Sequence, residues 1–308
     1  MSLFPLARLL ARRRLGGAPR SLAAMGCWLA LAALTPCCRE PQTMLTGLDD
    51  ARGLAADLRV QFNKAADASN RAVMADTDEA SIAFAKESAS ATHVVESDMA
   101  ALAPLLGTLA FPEEIAVFGQ FKTNFAEYHK LDGTILTLAV ENTNLKAQSL
   151  SFGPARNAAE TFRDSLAPLA ASFPPKDRCQ AAELAARAVT AVREIQVLHA
   201  PHIAEREDAA MTKMEQEMAG LDTSARDALK KLDELAPPNA HPSLMAAREA
   251  LDKFKAISVQ IVALSRRNTN VVSLDLSLRK KPALTATCDE RLGALQVALA
   301  HEGFKGTR

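Results

Sequence analysis

From Leu45 onward the apolar residues recur at three- and four-residue intervals, as in Leu45, Leu48, Leu54 and Leu58, which places them on one face of a helix. No stretch alternates strictly between apolar and polar, so the pattern predicts helices and no strands. Pro104, Pro112, Pro154, Pro174, Pro175, Pro201, Pro237, Pro238, Pro242 and Pro282 punctuate the pattern and mark expected helix ends. The segment ADTDEA at 75–80 predicts a tight connection with Thr77 or Asp78 as the N-cap. The first half then divides into helices over Thr43–Met74, Asp78–Leu106, Glu113–Leu150 and Ala155–Ala171, with ASFPPKD around Pro174 as a boundary.

The chain repeats itself. LAVENTNLKAQSLS from Leu138 returns as LSRRNTNVVSLDLS from Leu264, without a gap, at a shift of 126 residues. At that shift Ile135 meets Ile261, Tyr128 meets Phe254, and Leu166 and Leu169 meet Leu292 and Leu295. Short connections between long helices make antiparallel neighbours, and four such helices close around one core. The expectation is an all-α fold of two tandem antiparallel up-down four-helix bundles, over 43–172 and 176–302, with a tail over 303–308.

The third helix of each unit carries a seven-residue rhythm: Phe125, Tyr128, Ile135, Leu138, Asn142 and Leu145, matched by Leu251, Phe254, Ile261, Leu264, Asn268 and Val271. An asparagine therefore stands on the apolar seam of both copies, where a buried amide must find partners. Two roles are open. It can fix helix register, as polar seam residues do in coiled coils. Alternatively, Asn142, Thr143, Asn144, Asn268, Thr269 and Asn270 can line a polar cavity that holds a ligand.

The first 38 residues differ from the rest. Arg8, Arg12, Arg13, Arg14 and Arg20 precede the short apolar run MGCWLALAALTP, the pattern of a secretory signal, and the run is shorter than the ~20 residues of a membrane-spanning helix. Cys37 and Cys38 follow at once. LTPC resembles the lipobox of bacterial lipoproteins, in which the cysteine is lipidated, although Pro36 stands where that family prefers Gly, Ala or Ser. Export to the periplasmic face of a bacterial membrane, with a lipid anchor at Cys37 or Cys38, is the expectation. An oxidising compartment would permit a disulfide between Cys179 and Cys288, but Cys288 falls on an apolar stripe and reads as a buried thiol.

Composition adds exclusions. Lys and Arg number 36, as do Asp and Glu, so nothing points to nucleic acid as a partner. There is no G-x-S-x-G, no phosphate-binding glycine loop, no H-E-x-x-H and no C-x-x-C-H, so a catalytic or cofactor-bearing reading lacks its parts and no cofactor is expected. His199, His202 and Glu205 have metal-like spacing, but Pro201 lies between the histidines, and the preferred reading is a solvated helix start near Ile203. The stretch from Glu205 to Met218 reads as a charged face over a methionine stripe.

The segment FAEYHKLDGTILTLAVENTNLKAQSLSFGPARNAAETFRDSL, with FKAISVQIVALSRRNTNVVSLDLSL, resembles the four-helix-bundle ligand-binding module of methyl-accepting chemotaxis receptors. The resemblance implies a periplasmic sensor whose bundles dimerise side by side. It implies no binding residue, because the arginines that clamp amino-acid ligands in that family have no counterpart here. A non-enzymatic, membrane-tethered, sensor-like protein that binds a small molecule or a membrane receptor is the expected function, and a structural or scaffolding envelope lipoprotein is the alternative.

Overall fold

The computed structural model describes the chain from Arg39 to Lys305, with side chains from Met44 to Glu302. The expected signal segment with Cys37 and Cys38, and the end of the expected tail, lie outside the described residues. The described chain is all α, without strands, in the order α1 (Arg39–Met74), α2 (Asp78–Leu109), α3 (Pro112–Glu141), α4 (Thr143–Leu150), a π-helical turn (Ser151–Ala155), α5 (Arg156–Leu166), α6 (Arg178–Ala204), α7 (Asp208–Leu235), α8 (His241–Arg267), α9 (Thr269–Arg279) and α10 (Lys281–Lys305).

Local chemistry explains several ends. Thr77, with extended backbone, accepts the Ala80 N–H at 3.2 Å and starts α2, with Asp78 and Glu79 facing the positive end of the helix dipole. Ala110 closes α2 in the left-handed region at φ 54°, and Pro112 opens α3 where its missing N–H costs nothing. Three of the marked prolines do not end helices. Pro104 stands inside α2 and Pro201 in the last turn of α6. Pro154 sits in the π-helical turn, whose altered hydrogen bonding accommodates a residue without an N–H.

The expected helix over Glu113–Leu150 is broken at Asn142, and its counterpart at Asn268. Both asparagines are left-handed, at φ 51° and 53°. A left-handed residue costs an ordinary side chain about 1–2 kcal/mol, and asparagine is among the few that tolerate it.

These breaks redistribute the cores relative to the expected division at 172/176. One buried cluster joins Leu58 and Phe62 of α1, Leu102 and Leu106 of α2, and Phe121, Phe125 and Tyr128 of α3 to Leu292, Leu295 and Leu299 of α10. The other joins Phe162 and Leu166 of α5 to Ala188 and Val192 of α6, Leu229 and Leu232 of α7, and Leu251 and Phe254 of α8. Each repeat thus contributes three long helices to one core and sends its closing segment into the other. From Leu45 the chain forms one compact unit.

The first core is aromatic. Phe62 meets Phe121, Phe125 and Tyr128 edge-on, with the Tyr128 ring at 5.0 Å. The second is rich in alanine, with Ala181, Ala188, Ala225 and Ala247 allowing close helix approach. Cys288 is buried in the first core and Cys179 is exposed near the start of α6; both are free thiols.

Candidate functional site

The two Asn-Thr-Asn segments meet face to face. The left-handed residue leaves the first amides of α4 and α9 without carbonyl partners in their own helix, and neither Asn142 nor Asn268 caps its own helix. The opposite copy supplies the acceptors. Thr143 N–H donates to Thr269 Oγ1 at 3.1 Å and Thr269 N–H to Thr143 Oγ1 at 3.2 Å. Asn144 N–H donates to Asn270 Oδ1 and Asn270 N–H to Asn144 Oδ1, both at 3.1 Å.

The amides complete the lock. Asn144 Nδ2 reaches Asn268 Oδ1 and Asn270 Nδ2 reaches Asn142 Oδ1, each at 2.8 Å. Arg267 and Glu141 pair at its edge at 2.9 Å. Since residue i bonds residue i+126 in both directions, the contact has local two-fold symmetry. The six candidate ligand-binding residues are thus brought together, with their polar groups committed largely to one another. Asn268 Nδ2 and Asn144 Nδ2 also donate to the carbonyls of Glu205 and Ile203, whereas the buried Asn142 Nδ2 has no partner.

Beside this lock, α6 places two histidines in the core. This corrects the expected solvated helix start: α6 continues through Pro201 to Ala204, and His199 and His202 are fully buried. Ser265 Oγ donates to the His202 carbonyl at 2.7 Å and lies 2.8 Å from His202 Nδ1. His202 Nε2 faces Glu215 Oε1 at 2.9 Å, and the same oxygen accepts from Arg266 Nε at 2.6 Å. Arg266, then His202, hold the Glu215 carboxyl below its ordinary range, although desolvation opposes them.

His199 stacks on Phe254, lies 3.3 Å from Ser151 Oγ through Nδ1, and leaves Nε2 without a partner. Burial first, and the neighbouring His202 second, lower its pKa to about 4. Glu205 stays apart from the histidines and accepts the backbone N–H groups of Arg206 and Glu207. Among the described residues no cluster has the make-up of a metal site.

The first core holds a polar cluster that the sequence reading missed. Lys281 Nζ lies 2.8 Å from Asp132 Oδ1 and 2.6 Å from Ser69 Oγ, and Ser69 Oγ donates to Asp132 Oδ1 at 2.5 Å. All three residues are buried, and the ammonium stands 5.7 Å from the Tyr128 ring centroid. Burial lowers the Lys281 pKa, and Asp132 works against that. A seryl–lysine contact of this length suits nucleophile activation, but these residues are packed in a core and line none of the cavities described below. One signal was available: Asp132 occupies a seam position between Tyr128 and Ile135.

No family model matches the chain, and no curated protein shows significant similarity to it.

The cavity best suited to a ligand is a slot of about 190 Å³ between α6, α7 and α8. Its apolar wall is made by Ile195, Met218, Phe254, Val259 and Val262. Its polar lining is Glu215, Asp222, Lys255 and Ser258. Asp222 Oδ2 is held by Arg226 at 3.3 Å and Lys255 at 3.6 Å, but Oδ1 is shielded from solvent and has no donor. The groove of about 350 Å³ between α5 and α6 is lined mainly by alanine, leucine and valine, with only Arg163 and Thr190 able to orient a ligand. A cavity of about 260 Å³ beside Asp76–Asp78 and Ser149 lacks an apolar wall beyond Leu145. Of these three cavities the slot joins an apolar body to convergent polar groups, the usual make-up of a small-molecule site.

Proposed function

We propose that this chain is a non-enzymatic, sensor-like helical protein of the bacterial envelope, and that it binds a small molecule in the slot between α6, α7 and α8. One observation carries the reading: a partly enclosed cavity that joins an apolar wall to the polar side chains of Glu215, Asp222, Lys255 and Ser258. The basic leader with its short apolar run and the Cys37-Cys38 pair supports export and a lipid anchor. The resemblance to chemoreceptor ligand-binding modules supports a sensing role, with a membrane receptor as partner or a homodimer as the working state.

The slot also has a route to the rest of the molecule. Glu215 lines it and grips His202 and Arg266, and Arg266 is two residues from the left-handed Asn268. A ligand that engages Glu215 would bias the end of α8, where the repeats interlock. The second reading is an envelope scaffold without a ligand, favoured by the hydrogen bonds that the two Asn-Thr-Asn segments commit to each other.

Thermal unfolding against a library of amines, amino acids, organic acids and single-ring aromatics separates the two. A ligand at one hundred times its Kd adds about 2.7 kcal/mol of stability. The sensor reading expects such a shift for one chemical class, lost when Val259→Trp fills the slot. A flat response across the library leaves the scaffold.

A further inference from the structure

The atoms around His202 fix how many protons its buried ring holds. The His202 carbonyl and Ser265 Oγ lie 2.7 Å apart. Two oxygens approach that closely with a hydrogen between them, and of the two only the serine hydroxyl has one to give. That hydrogen is its only one, so Ser265 Oγ meets His202 Nδ1 at 2.8 Å as an acceptor, and Nδ1 supplies the proton. On the other side of the ring, Nε2 lies 2.9 Å from Glu215 Oε1. That carboxylate oxygen already accepts from Arg266 Nε at 2.6 Å and has no proton to offer, so Nε2 donates as well. Two N–H groups on one ring make an imidazolium.

The surroundings match that charge. Glu215 of α7 faces the ring, and Arg266 of α8, which shares Glu215, is met on its other side by Asp208 of α7 at 3.1 Å. Two cations thus stand against two anions. His199, one turn earlier on α6, is held neutral by burial first and by His202 second. Toward this end of α6, α4 presents the uncharged Asn144 and the π-helical turn Ser151. Beyond it, Glu205 is taken up by backbone amides and Arg206 by Asp275 of α9.

We propose that His202 is a proton-operated latch: as an imidazolium it ties the end of α6 to Glu215 of α7 and Ser265 of α8, and raising the pH above neutrality releases it. The Nδ1 proton passes to water, Nδ1 becomes an acceptor, and the Ser265 hydroxyl turns to it from the His202 carbonyl. That carbonyl has no replacement in its own helix, because the Arg206 N–H goes to the Glu205 carboxylate. The carbonyls just beyond, of Ile203 and Glu205, accept from Asn144 and Asn268 at 2.6 and 2.7 Å. The latch therefore holds the segment seated on the Asn-Thr-Asn lock, and it does so whether or not the slot takes a ligand.

Nitrogen-15 spectra of the histidine rings in the full chain test the charge, with His202→Gln identifying the signal. Both His202 nitrogens are expected to be protonated at about pH 7, and Nε2 alone at about pH 9.5. Amide hydrogen exchange, corrected for the intrinsic effect of pH, tests the latch. Over 202–207 it should rise about tenfold between those conditions, the factor for one lost hydrogen bond, while the middle of α7 stays level. Ser265→Ala has no hydroxyl to turn, so there exchange over 202–207 should be fast at both. A His202 ring with a single protonated nitrogen at about pH 7 overturns the imidazolium. Level exchange over 202–207 in the native chain, or a rise that persists in Ser265→Ala, overturns the latch.

Discussion

Thr143 and Thr269, equivalent residues of the two repeats, exchange backbone-to-hydroxyl hydrogen bonds at 3.1 and 3.2 Å, and their hydroxyls lie 3.2 Å from each other. Each copy caps a helix that the other cannot cap for itself. A chain that bends at Asn142 frees two amides, and the acceptors that meet them belong to its own duplicate.

The hydroxyl–hydroxyl contact at 3.2 Å predicts non-additivity. Thr143→Val leaves the buried Thr269 amide without its acceptor and is expected to cost about 1–3 kcal/mol. The same holds for Thr269→Val. In urea melts, a double-mutant cycle should show a coupling of about 1 kcal/mol or more between these positions. Simple addition of the two losses would mean that the hydroxyl–hydroxyl contact contributes nothing.

The left-handed backbone predicts a ranking at position 142. Asn142→Gly keeps the conformation and loses only the side-chain bonds, whereas Asn142→Leu adds a left-handed penalty of about 1–2 kcal/mol. Equilibrium unfolding should place the glycine variant above the leucine variant. The reverse order would mean that the leucine side chain had restored a straight α3–α4 helix, as an apolar heptad would demand.

Lys281 and Asp132 form a buried pair in one core, while the equivalent positions of the other hold Ala155 and Ser258. Removing one partner strands a buried charge, so Lys281→Met or Asp132→Leu is expected to lose about 3–5 kcal/mol. The double variant should recover most of that loss, because no unpaired charge remains. A double variant as unstable as the sum of the singles would show that the pair itself holds the core.

His199 predicts an acid limb. With its pKa lowered from 6.5 to about 4, the folded state binds fewer protons than the unfolded chain between those values, so stability rises with pH across that window. Acidification from about pH 6.5 to pH 4 should therefore remove on the order of 3 kcal/mol through this group. In His199→Phe, which keeps a ring against Phe254, the pH dependence of the melting temperature should flatten over that range. An unchanged slope would assign the acid sensitivity elsewhere.

Much of the fold was legible because helix periodicity and short connections depend on local spacing. Thr77 and Pro112 begin helices where capping chemistry expects it, whereas α2 runs past the expected Leu106 to Leu109 and closes on a left-handed alanine that the pattern did not mark. The duplication was also legible, and it singled out the Asn-Thr-Asn segments. Their conformation was not. A heptad pattern treats Asn142 as a helical residue, and only the packing of two copies makes the left-handed bend worth its cost. Once the chain bends there, α10 reaches the first core and α5 the second, so the core partners of the closing helices could not be read from sequence order.

Local appearance also misled at α6. Pro201 suggested a helix end, and it does give up the bond to the Val197 carbonyl, but the apolar stripe around it drew His199 and His202 inward and α6 ends only three residues later. Asp222 carried no mark in the sequence that separated it from the other charges of α7. Its place in the slot is a fact of packing between α7 and α8.

The exchange of closing helices is the claim on which the rest depends, and one distance comparison tests it. Arg59 of α1 pairs with Asp289 of α10 at 2.7 Å, whereas the residue equivalent to Asp289 in the first repeat is Arg163 of α5. With the native cysteines replaced by alanine, spin labels at 59 and 289 should give the shorter distance by pulsed electron resonance, and labels at 59 and 163 the longer. A short 59–163 distance with a long 59–289 distance would mean that each repeat closes its own bundle, and would contradict the interlocked fold.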